Sequence, residues 1–376
     1  MVEGVPSQIA SLNPNMPVVL AFGNPLLDVY VHLKDKEFLS KYGLAEYGEV
    51  ELPHKKIQEI LAYLPPDSEK RISAGGSAQN SMRILQWLFS NTLKNQCSIY
   101  CGGLGKDPRG AMLDTLVRSA GVDARYALHS YLPTGRCIAL IHESYRCVVA
   151  NIGAAGVYTL DDFKKSNIPL DTIKIIYIEG FFITHSFPVA KELVKIAEEN
   201  NIILAFSLSG LYIFKDHQAA ICQMVGYANI VFGNARQMKA LAQSLNIAYD
   251  DVTDIPLLLN SMKRITVNAS STTNSDWLHQ GGIFVMTQGD SAPAIGVWGK
   301  GEFVQVHPIK PNAPVVDTTG AGDSLVAGFL AGVLAQWKPQ QCLEYGCRVA
   351  SFMVTRLGVT LPAKVPADLI LYNINT

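Results

Sequence analysis

Apolar runs of strand length recur along this chain, and longer segments with helical spacing separate nearly all of them. Strands buried on both faces read as continuous apolar runs, and a parallel sheet needs helical crossovers to connect its strands. The alternation therefore points to an α/β body with a mostly parallel sheet and helices on its faces. Central strands are expected at Val18–Gly23, Cys97–Gly103, Ile173–Gly180, Ile202–Ser209, Asn229–Asn234 and Gly282–Gly289. Helices are expected at Ser77–Ser90, Gly110–Ala120, Pro188–Asn200, Ala235–Leu245, Asp323–Trp337 and Cys342–Leu357.

Two stretches break this rhythm with polar and apolar residues in alternation, LLDVYVHL (Leu26–Leu33) and Gly135–Gly153. Period-two patterning means a sheet with one face on a core and the other face free, here read as antiparallel. Because these stretches interrupt the main alternation, they predict a small, mainly β lid built from separate segments. The expected division is a flexible tail over 1–16, a large domain over 17–24, 75–125 and 154–376, and a lid over 25–74 and 126–153. A peripheral hairpin is expected to turn at Gly299–Gly301.

Of the 376 residues, 48% are hydrophobic and 17% charged, and the formal net charge is −1. Such a chain can bury a large core, and it has no broad basic field to draw in nucleic acid or anionic lipid. The first residues lack a basic start followed by an apolar run, and no apolar stretch reaches membrane-spanning length. Seven cysteines lie scattered without CxxC spacing, which suits reduced thiols in the cytoplasm, with the nucleus as a second compartment. The eight histidines show no HExxH, and no nucleophile elbow is present, so zinc and serine hydrolysis have little support.

Three segments carry chemistry. In DTTGAGDSLVAGF, small residues at Gly320, Ala321 and Gly322 lead directly into an apolar helix, whose first unpaired N–H groups can hold an anion. Asp323 sits at that junction, where a carboxylate can accept a proton from an attacking hydroxyl or simply cap the helix. In AGGSAQN, Gly75 and Gly76 allow close approach to the backbone, and Ser77, Gln79 and Asn80 supply hydrogen-bonding groups at a helix start. Ordinary cap chemistry would look the same. In GNPLLD, Asn24 and Asp28 follow the first strand, where open α/β sheets place ligands, though Asn24 and Pro25 also suit a plain turn. Neither GxxxxGK[ST] nor a GxGxxG after the first strand occurs.

Taken in order, GNPLLD, AGGSAQN and DTTGAGD resemble the ribokinase-like family of carbohydrate and nucleoside kinases. The likeness, which includes PTGRC and GFF, runs from about Asn15 to Leu361. It implies a three-layer α/β/α domain with a β lid, and transfer of the γ-phosphate of ATP, with Mg²⁺, to the 5′-hydroxyl of adenosine. It also implies a monomer that acts on small molecules, with neither nucleic acid nor membrane as partner. By the same resemblance Asp28, Gly76 and Asn80 hold ribose hydroxyls, with Asn24, Gly75 and Ser77 alongside. Adenine lies against Cys137, Val148, Ile152, Phe182 and Tyr212. Arg146 leans over the transferring phosphate, Gly320, Ala321 and Gly322 form the anion hole, and Asp323 is the base. Asn234, Thr287, Gly289 and Thr318, with Gly320 and Gly322, line the ATP site, and a monovalent cation is expected near Asp317.

One departure stands out. Where the family carries Asn-x-x-Glu, this chain reads Asn234, Ala235, Arg236, Gln237. Glutamine keeps shape and hydrogen bonds but loses the charge, so water-mediated contact between Gln237 and magnesium is expected to be weak. Two rival readings remain at this level: a sibling kinase for a sugar or another nucleoside, and a non-catalytic nucleoside sensor.

Overall fold

A computed structural model of the chain describes residues 18–34, 37–45, 49–64, 70–90, 97–142, 145–266 and 282–371. The tail expected over 1–16 lies outside them. In chain order the strands are β1 (Val19–Phe22), β2 (Leu26–His32), β3 (Glu49–Glu51), β4 (Lys70–Gly75), β5 (Ser98–Gly105), β6 (Asp123–His129), β7 (Gly135–His142), β8 (Tyr145–Asn151), β9 (Ile175–Glu179), β10 (Ile203–Ser207), β11 (Ile230–Asn234), β12 (Ile283–Thr287), β13 (Ala294–Trp298) and β14 (Glu302–Val306). Nine form one sheet in the order β14-β13-β12-β11-β10-β9-β1-β5-β6, and five form a second in the order β3-β8-β7-β2-β4.

In the large sheet every pairing from β12 through to β6 is parallel, and β13 and β14 add an antiparallel edge that turns at Gly299–Gly301. Alternation along the strands splits its core in two. Val19, Ala21, Ile175 and Tyr177 face the helices Ser77–Leu88, Ala321–Leu334 and Pro339–Met353. Leu20, Phe22, Ile176 and Ile178 face Gly180–Glu199, Ile213–Tyr227 and Ala235–Ser244. Strand order reverses at β1, which lies between β5 and β9. Chain connections leave in opposite directions on either side of such a point, opening a crevice at the carboxyl ends of the strands.

The small sheet is mixed, not the antiparallel sheet read from the sequence: β2 pairs parallel with β7, and β3 with β8. β2 follows β1 and β7 follows β6 after short connections, and β1 and β6 run in the same direction in the large sheet, which agrees with the parallel pairing of β2 and β7. One face of the small sheet buries Val29, Val31, Ile138, Leu140 and Val149 against Ile57 and Ile60 of the helix His54–Ala62. The alternate residues are left facing the crevice.

Local boundaries differ from expectation where a charge or a proline disturbs the pattern. Residues 126–129, assigned to the lid, continue β6 in the large sheet. β4, KRISAG, carries little strand signal in the sequence because it opens on two basic residues and ends on glycine. The helix expected from Pro188 starts at Gly180, with a break at Ser186, where φ is −124° and ψ is 34°. Proline has no N–H and crowds the preceding turn, so Pro188 separates two helical pieces of which sequence reading found only the second.

Candidate active site

The crevice at the carboxyl ends of the strands is a cavity of about 310 Å³. Asn24 follows β1, Glu179 ends β9, Ser207 ends β10, Asn234 ends β11 and Thr287 ends β12, and all five line it. The small sheet closes the opposite side with Leu26, Asp28 and Tyr30 of β2, Cys137 and Ala139 of β7, and Val148 and Ala150 of β8. Each set is separated by two residues, as a shared strand face requires.

One end of the cavity is polar. Asp28 is buried, and Tyr30 donates its hydroxyl to Asp28 Oδ2 at 3.4 Å. A Cβ on Gly75 would overlap the Asp28 carboxylate, so Gly75 makes room for that carboxylate behind the wall. Gly76, at φ 89°, takes a left-handed conformation that brings the backbone against the Asn24 carbonyl and starts the helix Ser77–Leu88. Asn24 Nδ2 donates to the Phe181 carbonyl at 3.0 Å, while its buried Oδ1 has no hydrogen-bond partner among the described residues. That oxygen is an acceptor suited to a ligand hydroxyl.

At the same end stands Asp323. Sequence reading placed it where the helix starts, but the helix runs Ala321–Leu334 with Gly320, at φ 76°, as its left-handed cap. Asp323 is therefore the third helical residue. Its oxygens are held from outside the helix: Ser77 Oγ donates to Oδ1 at 2.7 Å and Asn80 Nδ2 to Oδ2 at 3.1 Å. Both bonds come from the helix Ser77–Leu88, so the carboxylate is held by a neighbouring helix as well as standing in the first turn of its own. Beside it Gly322 is exposed, with open space where a Cβ would stand; the Ala321 N–H donates to the Thr318 carbonyl at 3.2 Å, so Gly322 is the point where an anion can approach this helix terminus.

Another part of the lining is apolar and aromatic. Phe181 and Tyr212 stack with ring centroids 5.7 Å apart and rings tilted by 22°. With Val148, Ala150 and Ile152 they make the wall on which a flat base would lie. Phe182, expected here, is fully buried instead, packed against Phe22 at 5.6 Å and Tyr158 at 5.9 Å. Adjacent helical residues point about 100° apart, so only one of the pair can face the cavity. Reading GFF as a strand end hid this, because the helix begins at Gly180.

Farther along, Asn234 and Gln237 form a reciprocal cap: Gln237 N–H donates to Asn234 Oδ1 at 3.0 Å, and Asn234 N–H to Gln237 Oε1 at 2.8 Å. Gln237 Nε2 also donates to the Ser209 carbonyl. Both ends of this amide are thus engaged by protein. Thr319, Gly320 and Gly322 complete the region, whereas Thr318, Ala321 and Gly289 do not line the cavity. The side chain of Arg146 lies outside the described residues. Asp317, near which a cation is expected, accepts from Thr319 N–H at 2.9 Å, Thr319 Oγ1 at 2.6 Å and Gly358 N–H at 2.9 Å. In PTGRC, Thr134 binds Asp107, the cap of the helix Pro108–Ser119, so this residue orders the entry to β7.

Sequence reasoning missed Glu179. Its carboxylate is fully buried and accepts from Asn24 N–H at 2.5 Å and Ala78 N–H at 2.6 Å, tying the loop after β1 to the first turn of the helix Ser77–Leu88. Burial pushes its pKa up to about 8, the charge of Asp323 acts in the same direction, and the two N–H donors oppose them. A lone carboxylate ahead of GFF was the available signal.

The pfkB family carbohydrate kinase profile matches residues 41–366. Adenosine kinase 2 of Arabidopsis thaliana is 30% identical over 353 residues, spanning 92% of this chain and 96% of the relative. Adenosine kinase of Dictyostelium discoideum is 28% identical over 351 residues, with 93% and 97% covered. Among solved structures, Anopheles gambiae adenosine kinase in complex with P1,P4-di(adenosine-5) tetraphosphate superposes with a TM-score of 0.78 at 25% identity, covering 92% of this chain and 97% of that one.

Proposed function

Given that the chain belongs to the pfkB family of carbohydrate kinases, we propose that it transfers the γ-phosphate of ATP to the 5′-hydroxyl of adenosine, releasing AMP and ADP. The observation that carries this reading is what one cavity brings together: buried polar groups suited to hydroxyls, Asp323 beside an exposed helix terminus, and a stacked aromatic pair suited to a flat base. The names of the plant and amoebal relatives, and the two adenosines joined by four phosphates in the mosquito structure, support the same substrates.

In this reading the nucleoside lies between the sheets. Its ribose meets Asn24, Asp28 and Asn80, and its base lies on Phe181, Tyr212, Val148 and Ile152. Asp323 takes the 5′-hydroxyl proton as oxygen attacks phosphorus, and the helix terminus at Gly322 holds the charge that develops on the transferring group. Phosphoryl transfer asks mainly for positioning and charge stabilisation, which this arrangement supplies. The described residues contain no cluster of three or more His, Cys, Asp or Glu side chains suited to a metal. In this reading magnesium enters as part of the ATP·Mg²⁺ substrate. The same reading has the protein working as a monomer on small molecules, and among the described residues no helix is long and apolar enough to cross a membrane.

ADP release from ATP·Mg²⁺ with a panel of nucleosides and sugars tests the assignment. Adenosine is expected to far exceed free ribose, and equal turnover of ribose would overturn the nucleoside reading. The Asp323→Asn variant is expected to lose roughly 10²–10⁴ in kcat, the usual effect of removing a positioned general base, with adenosine still bound. Unchanged turnover with a lowered Tm would make Asp323 structural.

A further inference from the structure

One buried cation beside the site has no part in the chemistry described so far. Arg83 lies two turns into the helix Ser77–Leu88 and is only 9% exposed. Its guanidinium makes three bonds to three separate parts of the site. Nη1 donates to the Ala74 carbonyl at 3.1 Å and to Asn80 Oδ1 at 3.2 Å, and Nη2 donates to the Val359 carbonyl at 3.2 Å. Ala74 belongs to β4 of the small sheet, and Val359 packs where a Cβ on Gly320 would stand.

Its bond to Asn80 has the largest consequence. A side-chain amide has nearly the same shape in both orientations but presents an acceptor on one side and donors on the other. A guanidinium can only donate, so Asn80 must turn Oδ1 toward Arg83 and, with it, Nδ2 toward Asp323. A flipped amide would set donor against donor at Arg83 and oxygen against carboxylate at Asp323. Stability alone explains Arg83 poorly. Its Nε is buried with no hydrogen-bond partner among the described residues, and a buried cation is usually no better for folding than an apolar residue of similar volume.

The geometry points to Arg83 as a positioning residue for phosphoryl transfer, which locks the Asn80 amide so that its donor stays on Asp323. The inference rests on the kinase reading, because it takes Asp323 as the base. Arg83 touches neither substrate in that reading and acts through Asn80, while its other two bonds anchor the end of β4 and the loop over Gly320.

A double-mutant cycle tests this, with wild type, Arg83→Met, Asn80→Ala and the double variant assayed for ADP release with adenosine, alongside Tm. Arg83→Met is expected to lower kcat by roughly 5- to 100-fold, within the usual range for coupled neighbours. In the Asn80→Ala background the same change should lower kcat less than about threefold. Arg83→Lys should recover part of the loss. Should Arg83→Met not fold, Arg83→Gln enters the same cycle, since glutamine can accept as well as donate and no longer enforces one amide orientation. Equal losses in both backgrounds, or a lowered Tm with unchanged kcat, would overturn the inference while leaving the kinase reading intact. No ADP release by the wild-type protein would instead overturn the kinase reading, and this inference with it.

Discussion

Replacing Glu179 with glutamine separates the charge of this buried carboxyl from its shape. In the folded protein burial, reinforced by Asp323, pushes the pKa from 4.5 up to about 8, so the folded state holds a proton that the unfolded chain releases between those values. The folded state binds more protons within that window, and stability must fall as pH rises through it. Each pH unit removes about 1.4 kcal/mol, which over the window amounts to roughly 4–5 kcal/mol. Glutamine cannot ionise and escapes this loss, but it has one acceptor oxygen for the two N–H donors of Asn24 and Ala78. That mismatch should make the variant the less stable protein near pH 5, by about 1–2 kcal/mol. Thermal unfolding of both proteins from pH 5 to pH 9 at constant ionic strength reads the difference. The Tm of Glu179→Gln relative to wild type should start negative, climb with pH by roughly 5–10 °C in total for a chain of this size, and level off above about pH 8. A difference that stays flat, or that grows more negative as pH rises, would show that Glu179 has no raised pKa and would refute the reasoning.

Two further outcomes follow from the geometry. Phe181→Ala should raise KM for adenosine with little loss of Tm, because it removes half of the stacked wall, whereas Phe182→Ala should lower stability by about 3–5 kcal/mol and leave KM nearly unchanged. Adenosine titrations paired with denaturant unfolding separate the two, and a KM effect confined to Phe182→Ala would reverse the assignment. Gln237→Glu should lower stability by about 1 kcal/mol, since a carboxylate has no donor for the Ser209 carbonyl, and should also shift the magnesium dependence of turnover. Identical unfolding curves and identical magnesium titrations for the two proteins would count against both parts.

The large sheet was legible in the sequence because each of its inner strands is apolar on both faces, and only a sandwich of helices can bury such a strand twice. Val19 and Ala21 go to one core, Leu20 and Phe22 to the other, so a run like VVLAF leaves little choice. β4 and the start of the helix at Gly180 were not legible. β4 is short and partly polar, and Phe181 and Phe182 look alike until the helical phase is known, which the break at Ser186 conceals. The direction of β2 relative to β7 was also hidden, since it agrees with that of β1 and β6 but leaves no mark in the strands themselves.

Within the cavity, legibility followed chemistry with a local signature. Glycine pairs and the Asp317–Asp323 loop announce themselves because backbone conformations such as φ 89° at Gly76 and φ 76° at Gly320 restrict residue choice. Glu179 and Arg83 have no such signature. Charged residues usually lie on surfaces, so a single glutamate ahead of GFF or an arginine in SMRILQW reads as solvent-facing. What makes each one special lies far along the chain: Glu179 binds Asn24 across 155 positions, and Arg83 binds Val359 across 276. Those separations are spanned only after the sheet has formed and the C-terminal loop has packed on the helix Ser77–Leu88. The groups proposed to grip the ligand were therefore the readable ones, Phe181 excepted, and the groups that hold them in place were not, because their roles exist only in the assembled fold.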